Sequence, residues 1–230
     1  MNFLQLAQRL RQEVSGSGTG PSSVVGQMGE LKRIVDWIAT ADEDIQRKHN
    51  EWRFMNSGFT VNTVANTAAY AFGACTDTTT SAAITDFRSW VRDSFKIYLQ
   101  SGGVGGERLL DYISYDEWYR RYNVATQTAS YPTEFTILNN LSFSLGAKPN
   151  AVHVVTGEYQ KAVTTMTTNT DTPLYPSEYH LLPMYRAMMK YGRYTGATEV
   201  YQDGQNEYRR MMNEMELTQL PDFLMPGALV

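Results

Sequence analysis

Ala197-Thr198-Glu199-Val200-Tyr201-Gln202-Asp203-Gly204-Gln205-Asn206-Glu207-Tyr208-Arg209-Arg210-Met211-Met212-Asn213-Glu214-Met215 is the stretch whose reading decides the fold. Ala197, Tyr201, Gly204, Tyr208, Met211 and Met215 fall at alternating steps of four and three, the seam of a helix lying along another helix. The spacing predicts a helix over residues 197–217. Upstream, Asp171-Thr172-Pro173-Leu174-Tyr175-Pro176 reads as a turn and Ser177-Glu178 as the start of a further helix running to Tyr194. Pro183 then falls near the second turn, where a kink is expected. Downstream, Leu220-Pro221-Asp222-Phe223-Leu224-Met225-Pro226-Gly227-Ala228-Leu229-Val230 is an apolar tail with one charge, and such a tail needs a place to dock.

Working toward the N-terminus, a helix is predicted over residues 3–13, capped by Asn2, with Phe3, Leu6, Leu10 and Val14 on one face. Ser15-Gly16-Ser17-Gly18-Thr19-Gly20-Pro21-Ser22-Ser23 is a linker by composition. It lacks the Lys-Ser or Lys-Thr pair of a phosphate-cradling loop, as does Ser101-Gly102-Gly103-Val104-Gly105-Gly106. The longest helix is expected over residues 28–52, about 37 Å at 1.5 Å per residue. Leu31, Ile34, Ile38, Ala41, Ile45 and Trp52 line one side of it, and mixed charges line the other.

Between the helices the periodicity changes. Residues 59–64 and 67–72 read as two strands around an Asn-containing turn, and Phe87-Arg88-Ser89-Trp90 as a short irregular or helical piece. Phe95, Ile97 and Leu99 alternate as in a half-buried strand. Ser114-Tyr115-Asp116-Glu117 fits a capping box opening a short helix to Asn123. Residues 134–138, 141–145 and 151–163 read as three antiparallel strands, the first two joined at Asn139-Asn140. The order of helices, strands and helices predicts an α+β fold: an antiparallel bundle of N- and C-terminal helices with an inserted antiparallel β-rich domain. The expected divisions are 1–55, 56–175 and 176–217, with a docking tail at 218–230.

Bulk properties narrow the function. The net charge of −4 opposes a phosphate-gripping surface, although DNA passing by is compatible with it. One cysteine, Cys75, excludes an internal disulfide and fits a reducing cytosol. Residues 1–10 lack the basic-then-apolar pattern of a secretory leader, so none is expected, and no run of about 18 apolar residues predicts a membrane span. Fifteen tyrosines and 11 methionines suit either core filling or protein contact surfaces.

Candidate chemistry is thin. His49, His153 and His180 stand at no metal-ligand spacing, and Asp42-Glu43-Asp44 point in different directions on a helix, so neither metal nor cofactor is expected. Cys75 has no catalytic signature around it, and no Gly-x-Ser-x-Gly elbow occurs. Asp111 with Asp116 or Glu117, and Glu134 with Glu158, are the acidic pairs a glycoside hydrolase would need. In a chain with 24 acidic residues such pairs carry little weight. Trp118-Tyr119-Arg120-Arg121-Tyr122 reads better as an amphipathic helix packed on a sheet than as a nucleic-acid surface.

Several short motifs carry a resemblance by their order and spacing. They are Leu10-Arg11-Gln12-Glu13-Val14-Ser15-Gly16-Ser17-Gly18, Gly29-Glu30-Leu31, Val35-Asp36-Trp37-Ile38, Asp44-Ile45-Gln46 and Trp52-Arg53-Phe54-Met55. Pro132-Thr133-Glu134-Phe135, Gly157-Glu158-Tyr159, Thr170-Asp171-Thr172-Pro173, Pro176, Tyr185-Arg186-Ala187 and Glu207-Tyr208-Arg209-Arg210-Met211 complete the series. Together they resemble the head–tail adaptor proteins of tailed bacteriophages, especially short-tailed ones.

The resemblance implies a virion structural protein rather than an enzyme, made in the host cytoplasm and carried at the neck between capsid and tail. It implies a homo-oligomeric ring, typically of twelve subunits, between the portal protein and a downstream nozzle or tail-tube protein. DNA would pass through the channel without specific binding. Leu220, Phe223, Leu224, Met225, Leu229 and Val230 are then the expected portal-binding residues. Leu31, Ile34, Ile38, Ile45, Trp52, Tyr201, Tyr208, Met211 and Met215 are expected to pack helices or subunits together. A tail-associated cell-wall hydrolase and a cytosolic interaction module without a ring are the alternatives. Pro183 and the Ala- and Thr-rich stretch 65–83 depart from the family pattern.

Overall fold

The computed structural model describes residues 1–14, 20–124 and 127–221. In chain order the elements are helices α1 (Phe3–Glu13) and α2 (Gly29–Lys48), then strands β1 (Asn56–Asn62), β2 (Ala69–Tyr70) and β3 (Thr76–Asp77). Next come β4 (Phe87–Leu99), β5 (Arg108–Leu109), β6 (Asp111–Tyr112), helix α3 (Tyr115–Tyr122), β7 (Glu134–Ile137), β8 (Phe143–Leu145) and β9 (His153–Lys161). Helices α4 (Leu182–Thr195) and α5 (Thr198–Gln219) close the series. The fold is α+β with mainly antiparallel sheets. The chain divides into two compact units, Met1–Met55 with Val163–Val230, and Asn56–Ala162.

In the helical unit, α1 begins where the Asn2 side chain accepts a hydrogen bond from the Gln5 amide and the Gln5 side-chain oxygen accepts one from the Asn2 amide. It buries Phe3, Leu6, Ala7 and Leu10, each large side chain worth about 1.5–3 kcal/mol when removed from water. These residues form one core with Ile34, Val35, Ile38, Met184, Ala187 and Met188 from α2 and α4. A second core joins Ile45, Trp52, Tyr175, Tyr179, Leu182, Met211, Met212 and Met215.

Helix α2 stops at Lys48 rather than at residue 52, giving a rod of about 30 Å. Trp52 is the reason: its indole N–H turns back and donates to the Ile45 carbonyl at 3.0 Å. Ile45 is among the last four residues of the helix, whose carbonyls have no intrahelical partner. Trp52 is therefore a cap as well as a core residue, not a further step of the stripe. Pro183 lies in the first turn of α4, after a 3-10 turn at Ser177–Tyr179, so it starts the helix instead of kinking it. A proline there forfeits no hydrogen bond. Gly196, at φ 75°, ends α4 in the left-handed conformation before α5 begins.

The β-rich unit holds a five-stranded sheet in the order β3-β1-β9-β4-β5 and a four-stranded sheet in the order β2-β8-β7-β6. The expected hairpin of β1 and β2 is not formed: β1 pairs with β9 and β3, while β2 pairs with β8. Thr63 and Asn66 turn the chain away from itself, bonding to His153 and Pro149. β6 pairs with β7 in parallel, another departure from the antiparallel expectation. Residues 87–90 belong to β4 rather than to an irregular piece. Trp90 and Phe95 are five apart yet both buried in one core, because the register against β9 shifts between Val91 and Lys96. That bulge breaks the period of two by which a strand is read.

β7 and β8 form the expected hairpin, with Leu138 N–H bonding to the Ser142 carbonyl. The left-handed residue in its loop is Leu141, at φ 64°. Its carbonyl accepts the Trp90 indole N–H at 2.7 Å, which fixes an otherwise unfavourable backbone.

Candidate functional site

The three histidines singled out for chemistry are committed to different neighbours. His49 Nε2 and Lys48 Nζ meet the same Glu216 oxygen at 2.9 and 2.6 Å, joining the end of α2 to α5. Burial opposes the Glu216 charge, but these hydrogen bonds hold its carboxyl below the usual range. His180 Nε2 lies 3.0 Å from the Tyr175 carbonyl, and its Nδ1 lies 2.7 Å from the Met1 amine. Burial and that amine lower its pKa. His153 is fully buried, with Nδ1 2.9 Å from the Ala151 carbonyl. The three histidines share no partner.

Cys75 is 1% exposed, and burial pushes its thiol up to about 12, so it is no thiolate nucleophile at neutral pH. Two of the acidic residues considered for hydrolysis, Glu134 and Glu117, are tied up too. Glu134 accepts from Tyr122 Oη at 2.7 Å and from Arg121 at 2.9 Å, while Glu117 pairs with Arg121 at 2.5 Å. The Ser114 hydroxyl accepts the Glu117 amide as the forward half of the expected capping box. Helix α3 packs on the sheet as expected, with the Trp118 indole N–H donating to the Leu145 carbonyl at 3.2 Å. Among the described residues no three metal-binding side chains come together.

Asp42, Glu43 and Asp44 diverge around α2. Glu43 meets Arg47 and Thr165, and Asp44 meets Arg186 at 2.9 Å. Asp42 points inward at 1% exposure, where it accepts from Tyr175 Oη at 2.9 Å and from Gln46 Nε2 at 2.7 Å. Gln46 in turn clasps Thr164, donating to its carbonyl and accepting from its amide, both at 2.9 Å. A buried polar network thus holds the segment leading into α4 against α2, a feature that sequence reading did not find because its partners are over 100 residues apart.

Burial raises the Asp42 carboxyl to about 6, against the two hydrogen bonds that favour its charge. A raised folded-state pKa stabilises below the unfolded value near 4, and this contribution is lost as pH rises through 6. The swing is about 3 kcal/mol. The expected result for Asp42→Asn is that its stability relative to the parent improves by about that amount between pH 4 and pH 7.5. Urea titration followed by helix ellipticity checks it, and a pH-independent difference would show the carboxyl to be unperturbed.

The residues expected to pack helices lie within the helical unit. Ile34 and Ile38 are buried in one core with Leu31 against it, and Ile45, Trp52, Met211 and Met215 in the other with Tyr208 against it. Tyr201 lies against α4, accepting from Arg193 at 3.2 Å. Leu220 packs partly on the second core, while Phe223, Leu224, Met225, Leu229 and Val230 lie outside the described residues. The α4 surface carries Arg186, Lys190 and Arg193 with no acidic residue from 182 to 195.

Many of the ionisable groups join one element to another, as Glu216 joins α5 to the end of α2 and Asp44 joins α2 to α4. The sequence matches the family described as SU10 adaptor protein over residues 1–227, and the chain belongs to that family. It is thus a bacteriophage adaptor protein, a virion component that meets other virion proteins. No curated protein matches it. Among the described residues no helix is long and apolar enough to cross a membrane.

Proposed function

We propose that this chain is one subunit of a head–tail adaptor ring, of twelve copies by resemblance, that joins the portal to the tail and continues the DNA channel. In this reading the N- and C-terminal helices form an antiparallel bundle that packs side by side around the ring. The β-rich unit meets the downstream nozzle or tail-tube protein. The net charge of −4 keeps the channel wall from retaining DNA. The supporting observation is the reach of the family match, which runs through both units and into the apolar tail at residue 227.

Portal docking is assigned to the tail, led by Leu220, Phe223, Leu224, Met225, Leu229 and Val230. Apolar peptides gain their order and their affinity together when they bind. The test is truncation after Pro221, which spares Leu220 in its packing on the helical core and the Tyr179–Thr218 hydroxyl contact at 3.1 Å. Electron micrographs of the full chain mixed with portal are expected to show a ring added to it. The truncated chain is expected to keep its helix content and lose portal binding by at least about a hundredfold, for the several anchors removed together. Undiminished binding by the truncated chain would remove the tail from the portal contact.

A further inference from the structure

Arg186, Lys190 and Arg193 stand at i, i+4 and i+7 on α4, so they share one stripe. That stripe lies across the helix from Met184 and Met188, which are buried. Arg186 is already paired with Asp44. Among the described residues no carboxylate pairs with Lys190 or Arg193, and Arg193 reaches only Tyr201, its guanidinium 5.2 Å from the ring. A cleft of about 190 Å³ opens between Arg186, Met189, Lys190 and Arg193. Burial lowers the Lys190 pKa; the Asp44 charge, already bonded to Arg186, raises it, and the Arg186 charge lowers it again.

Helix α5 has the opposite sign, with Glu199, Asp203, Glu207, Glu214 and Glu216 against Arg209 and Arg210. Arg210 takes Glu207 and Glu214, and Lys48 takes Glu216. Glu199 and Asp203, one turn apart and exposed, have no cationic partner among the described residues. Among the described residues, the α4 face therefore offers two cations and the α5 face two anions that make no ion pair within the chain. We infer that Lys190 and Arg193 on α4 of one copy dock on Glu199 and Asp203 on α5 of a second copy. If each copy gives its α4 patch to one neighbour and its α5 patch to another, the contact is head-to-tail, the kind that closes into a ring.

The inference rests on the ring reading and adds the residues of the lateral contact. A second copy is favoured over DNA because a nucleic-acid footprint needs a broadly basic face, whereas here two cations match two anions within a chain of net charge −4.

Lys190→Glu with Arg193→Glu, and Glu199→Lys with Asp203→Lys, are the two test variants. Sedimentation of the full-length chain, alone and with portal rings, reads the concentration at half-assembly. Each variant alone is expected to raise it at least tenfold through like-charge repulsion. An equal mixture of the two is expected to restore assembly, since every contact then pairs opposite charges. Circular dichroism of each variant confirms that its helices remain.

Wild-type chains that assemble while the variants assemble equally well would overturn the charge contact and leave the ring intact. Wild-type chains that never assemble would overturn the ring reading, and the inference with it. Loss of duplex-DNA binding by the α4 variant, with assembly unchanged, would assign the stripe to DNA and overturn the inference.

Discussion

Phe95→Ala is expected to destabilise the β-rich unit by about 3–5 kcal/mol, the range for removing a fully buried aromatic side chain. Phe95 has 0% exposure and stacks on Phe135 with ring centroids 4.1 Å apart. Its edges meet Phe59, Trp90 and Phe143 at 5.1, 5.6 and 5.3 Å. Phe59, Trp90 and Phe95 belong to the five-stranded sheet, and Phe135 and Phe143 to the four-stranded one, so this ring is where the two sheets meet. Alanine leaves a cavity that neighbours on two hydrogen-bonded sheets are poorly placed to fill. Near-ultraviolet dichroism during urea unfolding reports on this aromatic cluster. The expected result is an early loss of that signal, and a cost below about 1 kcal/mol would show that Phe95 does not hold the sheets together. Because the chain has two units, the signal should be fitted separately from helix ellipticity.

Much of this architecture was legible from local rules. Asn2 announced α1, Ser114 announced α3, and the three-four spacing of Tyr201, Gly204, Tyr208, Met211 and Met215 announced α5. Each signal depends on residues within a few turns of one another. The misreadings share the opposite property. Trp52 continues the α2 stripe in sequence but turns back to cap Ile45. Phe87 to Trp90 fail the strand pattern because a bulge further along β4 resets it. The β1 and β2 segments look like a hairpin, yet their partners are β9 and β8, far along the chain.

The site divides in the same way. The cations of α4 are visible as a stripe without acids, but only the fold shows that Asp44 pairs with Arg186, while among the described residues Lys190 and Arg193 make no ion pair. Asp42 gives no sequence sign of its burial, since Glu43 and Asp44 beside it are partnered nearer the surface. The family resemblance identified what local chemistry could not, because contact surfaces on an adaptor have no catalytic motif to announce them.

Gly204→Val is expected to cost about 3 kcal/mol, at the upper end for overpacking, and to disturb the α4–α5 pair most of all. A β-carbon at Gly204 would stand 2.9 Å from Met188 Cβ and 3.0 Å from the Tyr185 carbonyl oxygen. Gly192 makes the reciprocal approach, where a β-carbon would meet the Tyr201 amide nitrogen at 2.8 Å. One glycine on each helix thus lets the two backbones come close, and the atoms in the way are backbone or near-backbone. They have no rotamer to escape into, so the helices must separate. Separation would strip Met211 and Met215 of their packing and shift Glu199 and Asp203 relative to the α4 stripe. For a chain of this length the expected fall in Tm is about 6–12 °C. Gly105→Ala is the control, because a β-carbon there meets nothing within 4 Å, and its effect should stay within about 0.5 kcal/mol. A fall of less than 2 °C for Gly204→Val would mean that α4 and α5 have slack between them and that the seam is not closely packed.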